Sequence, residues 1–263
     1  MMDWDDAYAN AAHIPGGADY PDRWAALAAE HRAVEQAVGR AMLNLRYGDG
    51  DRETLDLFLP AGPAAGLVVF VHGGYWLRFD KSFWSHLAAG PCERGWAVAI
   101  PSYTLAPQAR IGAIVRQTAR AVEAAAARVT GPVVLAGHSA GGHLVARVVS
   151  AEVGLSVRGR VRRVVAISPV SDLAPLMRTA MNADLRIDAA EAAAESPVNR
   201  PAPEGIEVHV WVGADERPVF LDQGGRLAEA WGAPLTVEPA RHHFDVIGGL
   251  AEPDSPLTRA LVG

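Results

Sequence analysis

Five short segments of the chain are apolar almost from end to end: LVVFV at 67–71, WAVAI at 96–100, VVLA at 133–136, VVAI at 164–167 and VHVWV at 208–212. A strand with one wet face alternates apolar and polar residues. Runs without alternation are what strands covered on both faces require. A weaker run follows at 235–238. Helical patterns separate most of them: 110–128 carries Ile111, Val115, Thr118 and Val122 at helical spacing, and 217–231 forms another helix. Strand–helix alternation of this kind predicts a parallel sheet with right-handed crossovers. Upstream the period changes to two. Leu43, Leu45 and Tyr47, then Leu55, Leu57 and Leu59, alternate with polar neighbours around Gly48-Asp49-Gly50-Asp51, which predicts an antiparallel hairpin. Residues 21–38 read as a helix, with Pro21 near its start, Gly39 past its end, and Trp24, Leu27, Ala28, His31, Val34 and Val38 roughly on one face. The expected class is α/β: about eight strands, mostly parallel, with an N-terminal antiparallel hairpin and helices on both faces.

At 263 residues the chain is expected to form one domain (1–263), with an N-terminal helical extension (1–41) and a small cap-like insertion (172–204). That insertion breaks the alternation with short helical pieces and Pro175, Pro197, Pro201 and Pro203. It is expected to lie over the carboxyl edge of the sheet, where open α/β folds bind ligands. Half of the residues are hydrophobic and 21% are charged, as in a globular protein with a large core. The 24 basic and 30 acidic residues give a net charge of −6. Lys81 is the one lysine, and no basic stripe suggests a nucleic-acid partner. The single cysteine, Cys92, excludes an internal disulfide and a cysteine-based zinc cluster. The opening MMDWDDAYAN has acids where a secretory leader needs positive charge, and no apolar run reaches the length of a membrane span, so the expected location is cytoplasmic.

The stretch GPVVLAGHSAGGHLVARVV at 131–149 carries the chemistry. An apolar strand ends in Gly137-His138-Ser139-Ala140-Gly141 and a helix begins at once, the G-x-S-x-G pattern in the strand–turn–helix context that exposes a nucleophilic serine. A second signal is His72-Gly73-Gly74-Tyr75-Trp76, directly after the strand at 67–71. A Gly-Gly loop lets backbone N–H groups turn inward toward a developing oxyanion. The expected donors are Gly73, Gly74 and Ala140. His72 is expected to shape this loop. In this architecture the base is a histidine on a late loop. His209 lies within an apolar run, while His242 and His243 follow the last strand, and spacing alone does not separate these two. The acid is expected after the run at 208–212, where both Asp215 and Glu216 stand and either can orient an imidazole.

These motifs resemble the α/β-hydrolase superfamily. More narrowly, they are similar to arylformamidases (kynurenine formamidases) of that type and to the bacterial esterases grouped with them. The resemblance covers roughly 40–250. It rests on the two motifs above together with Ser171-Asp172-Leu173-Ala174-Pro175-Leu176, Glu195-Ser196-Pro197-Val198 and His243-Phe244-Asp245. It implies an α/β-hydrolase fold, Ser139 as nucleophile and His243 as base. Ungapped spacing places the family's acid at Glu216, with Asp215 one residue earlier, so both remain candidates.

The expected activity is cofactor-independent, metal-independent acyl hydrolysis through an acyl-enzyme, on a small aryl formamide such as N-formylkynurenine. A broad short-chain carboxylesterase or thioesterase is the alternative. A catalytically silent hydrolase-fold binding protein is a remote one. Tyr75 and Trp76 are expected to bind substrate, with Phe79 and Tyr103 as further aromatic candidates. Arg78 is expected to be a solvated surface arginine. The expected partner is a small-molecule acyl substrate, with neither nucleic acid nor membrane. The oligomeric state is open between a monomer and a homodimer. Trp4, Tyr8 and Asn10 are read either as folding back over the site or as part of a disordered tail.

Overall fold

The computed structural model describes residues 2–263, so residue 1 of the N-terminal extension lies outside the described residues. The strands are β1 (Ala41–Arg46), β2 (Thr54–Phe58), β3 (Leu67–Val71), β4 (Ala97–Pro101), β5 (Val133–His138), β6 (Val161–Ile167), β7 (Glu207–Gly213) and β8 (Leu235–Glu238). The α-helices are α1 (Trp4–Ala7), α2 (Tyr20–Ala37), α3 (Ala89–Glu93), α4 (Ile111–Ala126), α5 (Ala140–Val148), α6 (Asn182–Leu185), α7 (Ala189–Glu195), α8 (Pro218–Trp231) and α9 (Pro256–Val262). The strands form one eight-stranded sheet in the order β1-β2-β4-β3-β5-β6-β7-β8. The β1–β2 and β2–β4 pairs are antiparallel and all others are parallel.

The continuous apolar runs are explained by two cores, one on each face. Leu67, Val69 and Val71 of β3 pack with Val133 and Leu135 of β5 beneath α4 and α5, through Ile111, Val115, Leu144 and Val145. The intervening Val68 and Phe70, with Val134 and Ala136, face Trp24, Trp84, Leu250 and Leu257 on the other side. Every second residue thus serves a different core, so no residue of β3, β4 or β5 stays exposed. Strands β4 and β5 flank β3 on opposite sides. The chain therefore reverses direction across the sheet there, and the carboxyl ends of β3 and β5 form the crevice where such folds place ligands.

Two elements differ from the sequence expectation. Helix α2 packs on the 3₁₀ turns Lys81–Phe83 and Ser85–Ala88, a strip too narrow to cover its whole apolar stripe. Trp24 and Ala28 are buried, while Leu27, Val34 and Val38 remain exposed. In the hairpin, β2 is buried almost throughout, including Asp56. Lys81 answers that charge: its Nζ lies 2.8 Å from Asp56 Oδ1 and donates to Asn44 Oδ1 at 2.7 Å. A bulge in β1 turns the Asn44 N–H onto the same carboxylate at 2.8 Å. The chain's one lysine thus pins the hairpin to the loop leaving β3.

Breaking a buried pair from one side leaves an uncompensated charge, which costs about 3–5 kcal/mol. Lys81→Met is expected to lower the melting temperature by roughly 10 °C. The double variant with Asp56→Asn should recover most of that loss. Equal melting temperatures for the single variant and the parent protein would refute the pairing.

The segment between β6 and β7 holds α6, α7 and short 3₁₀ turns at Ala174–Arg178 and Pro197–Asn199. Among the described residues, no helix is long and apolar enough to cross a membrane.

Candidate active site

Strand β5 ends at His138 and α5 begins at Ala140, with Ser139 between them at φ 57°, ψ −117°. A non-glycine residue held at positive φ stores of order 1–3 kcal/mol, so the surrounding packing must impose it. Gly141 shows how tight that packing is. A Cβ there would lie 1.9 Å from Val71 O, so only glycine lets α5 start against the end of β3. The Ser139 N–H donates to Ile167 O at 2.8 Å, tying the turn to β6.

The loop after β3 runs beneath this turn. A Cβ on Gly73 would come within 2.8 Å of His138 O and 2.9 Å of Ser139 Cβ, which again demands glycine. Among the described residues no acceptor takes the N–H groups of Gly73, Gly74 or Ala140. His72 shapes the loop. Its Nδ1–H donates to Gly73 O at 2.8 Å, its ring stacks on Tyr103 at 4.4 Å, and burial pushes its pKa down to about 4, so it stays neutral.

The two histidines after β8 separate clearly. His242 sits against Tyr20, with 3.0 Å between Tyr20 Oη and its Nε2, and its Nδ1 accepts the Phe244 N–H at 3.1 Å. His243 turns inward. Its Nδ1–H donates to Glu216 Oε2 at 2.6 Å, and its ring lies between Phe220 at 4.1 Å and His138 at 4.7 Å. Its side chain is 3% exposed and that of Glu216 0%. Glu216 Oε1 accepts from Ser168 Oγ and, at 2.8 Å, from Gly213 N–H. Burial alone would raise the Glu216 pKa. The attraction of His243 and the hydrogen bonds from His243, Ser168 and Gly213 outweigh it and hold the carboxyl below its ordinary value. Asp215 is exposed, and its N–H is fixed by Arg241 O at 2.8 Å. His209 bonds Thr236 Oγ1 on the neighbouring strand at 2.8 Å, away from this cluster.

Ser139 and His243 line one cavity of about 620 Å³, together with Gly73 and Gly74. Tyr75 and Phe79 line it too, and so does Arg78, which is exposed. Trp76 departs from the expected binding role: it is fully buried, edge-on to His143 at 5.0 Å. Tyr103 is likewise buried in the core rather than in the cavity wall. Trp24, Trp84 and Phe244 supply further aromatic wall, and Met181 comes from the insertion. The largest contribution that sequence reasoning left open is the N-terminal segment, which folds back over the site. Asp5, Tyr8, Ala9, Asn10, Ala11 and Ala12 line the cavity. Among the described residues no group of three or more His, Cys, Asp or Glu side chains is gathered as a metal site.

A kynurenine formamidase of Salmo salar is 29% identical over 248 residues, covering 87% of this chain and 84% of that protein. One of Drosophila melanogaster is 29% identical over 252 residues, covering 88% and 83%. Among solved structures, one from Silicibacter sp. TM1040, provisionally a thioesterase, is 55% identical over the full length of both chains with a TM-score of 0.97. Esterase B of Lactobacillus rhamnosis shares the fold at 21% identity, covering 92% of this chain and 90% of that one, with a TM-score of 0.64. Residues 68–233, which span β3, the Ser139 turn and α8, match the family of the alpha/beta hydrolase fold, and the chain belongs to that family.

Proposed function

We propose that this hydrolase cleaves a small acyl bond through Ser139, His243 and Glu216, with an aryl formamide of the N-formylkynurenine type as its substrate class. The observation that carries the reading is the wholly buried His243–Glu216 contact of 2.6 Å, on a histidine that shares its cavity with Ser139. A carboxylate on Nδ1 leaves Nε2 as the free base. Ser139 Oγ attacks the substrate carbonyl while His243 Nε2 takes its proton. The oxyanion is held by N–H groups of Gly73, Gly74 and Ala140, which are otherwise unused. His243 then gives the proton to the departing arylamine. Water attacks the formyl ester on Ser139 by the same route, releasing formate. Glu216, ionised at neutral pH, stabilises the imidazolium in both halves of the cycle.

Two further observations support the formamide. The formamidase relatives align over most of their length. The wall of Tyr75, Trp24, Phe79, Trp84 and Phe244 suits an aryl group. The likeness to the provisional thioesterase favours a second reading, short-chain ester or thioester hydrolysis by the same residues. A turnover panel of N-formylkynurenine, formanilide, p-nitrophenyl acetate and acetyl thioesters separates them. A higher kcat/KM for the aryl formamide is expected, and a clear preference for simple esters or thioesters would overturn the substrate assignment.

A further inference from the structure

The N-terminal segment is held down by surface contacts and by one buried residue. Asp6 pairs with Arg217 at 2.6 Å, Asp5 Oδ1 accepts the Ala180 N–H at 2.6 Å, and Arg178 lies 4.8 Å over the Trp4 ring. Exposed contacts of this kind contribute little. Tyr8, by contrast, is 2% exposed and touches three separate parts of the site. Its carbonyl accepts Tyr75 Oη–H at 2.7 Å, on the loop that carries Gly73 and Gly74. Its ring meets Phe220 edge-on at 5.9 Å, and Phe220, itself fully buried, is the ring packed on His243. Its hydroxyl accepts from Gln223 Nε2 at 2.9 Å. Gln223 Oε1 in turn accepts the N–H groups of Ser171 and Asp172 at 2.8 and 2.7 Å, on the loop whose Ser168 holds Glu216.

We propose that Tyr8 is a positioning residue, keying the N-terminal segment onto the oxyanion loop, the base and the acid-bearing loop at once. This rests on the Ser139–His243 reading above. The three contacts converge on elements that are far apart in sequence, and Phe220 is the link that matters for the base. The His243 imidazole is wedged between Phe220 and His138. Removing the Tyr8 ring frees Phe220 to move into the vacated volume, and the imidazole loses one wall. A misplacement of about 1 Å can cost on the order of 10²-fold in rate.

The test follows p-nitrophenyl acetate turnover and the rate at which a fluorophosphonate labels Ser139. Tyr8→Ala is expected to lower kcat and the labelling rate together by about 10- to 100-fold, with KM changed less than about threefold. Tyr8→Phe keeps the ring and the carbonyl and should recover most of the loss. In a Phe220→Ala background the Tyr8→Ala effect should shrink, because its route to His243 is gone. Should Tyr8→Ala fail to fold by circular dichroism, Tyr8→Leu removes the ring and its edge contact with Phe220 while leaving an apolar side chain in the core, and is read the same way. A labelling rate equal to that of the parent protein, or a loss confined to KM, overturns the proposal. Labelling that persists in Ser139→Ala would instead overturn the nucleophile assignment itself.

Discussion

Replacing Ser139 with alanine is expected to lower kcat/KM for any substrate the protein turns over by about 10⁴-fold or more, with the fold intact. The substitution removes one oxygen and changes nothing else that the turn depends on. The positive φ at 139 is imposed from outside, by the Gly141 approach to Val71 O and by the hydrogen bond from Ser139 N–H to Ile167 O. Alanine meets the same constraints. The loss therefore reports chemistry and not misfolding, and an unchanged melting temperature is part of the expected result. Residual turnover from the Gly73, Gly74 and Ala140 N–H groups should remain above the uncatalysed rate, because such donors act without the nucleophile. A loss of less than tenfold would place the nucleophile elsewhere.

The sheet was legible in the sequence because its central strands are buried on both faces. β3 and β5 feed two cores with alternate residues, and that leaves an unbroken apolar run in each. The serine turn was legible because its geometry is set within five residues, by glycines that close approach demands. The acid was not. Asp215 and Glu216 are neighbours of similar chemistry on one loop, and what separates them is the set of buried partners, His243, Ser168 and the Gly213 N–H, that meets the Glu216 carboxylate while Asp215 stays exposed. Trp76 misled for a related reason. Tyr75 and Trp76 both have positive φ, 54° and 57°, and the sharp turn sends one ring to the cavity and the next to the core. Nothing periodic marks the N-terminal segment as a cavity wall. Its alanines and glycines carry no pattern, and its anchors at Ala180, Arg217 and Gln223 lie far along the chain.

Glu216→Gln is expected to cost about 10²- to 10⁴-fold in kcat, while Asp215→Asn stays within about twofold. The Glu216 carboxylate accepts three hydrogen bonds: from His243 Nδ1–H on one oxygen, and from Ser168 and the Gly213 N–H on the other. A glutamine has one acceptor oxygen and two donor hydrogens. If its oxygen serves Ser168 and Gly213, its amide group faces His243 Nδ1, which must then accept. The imidazole proton moves to Nε2, the atom that has to receive the serine proton, and general-base catalysis stops. If the amide turns over, its N–H₂ confronts the fixed Gly213 N–H in a buried site, so the first arrangement wins. The defect should not be rescued between neutral and alkaline pH, because the Glu216 carboxyl lies below its ordinary value and is already ionised there in the parent protein. The same depressed carboxyl contributes to stability at neutral pH, and the contribution is lost as pH falls through its folded value. Steady-state kinetics of the two variants side by side decides the matter, and a loss in Asp215→Asn equal to that in Glu216→Gln would return the acid to the exposed carboxylate.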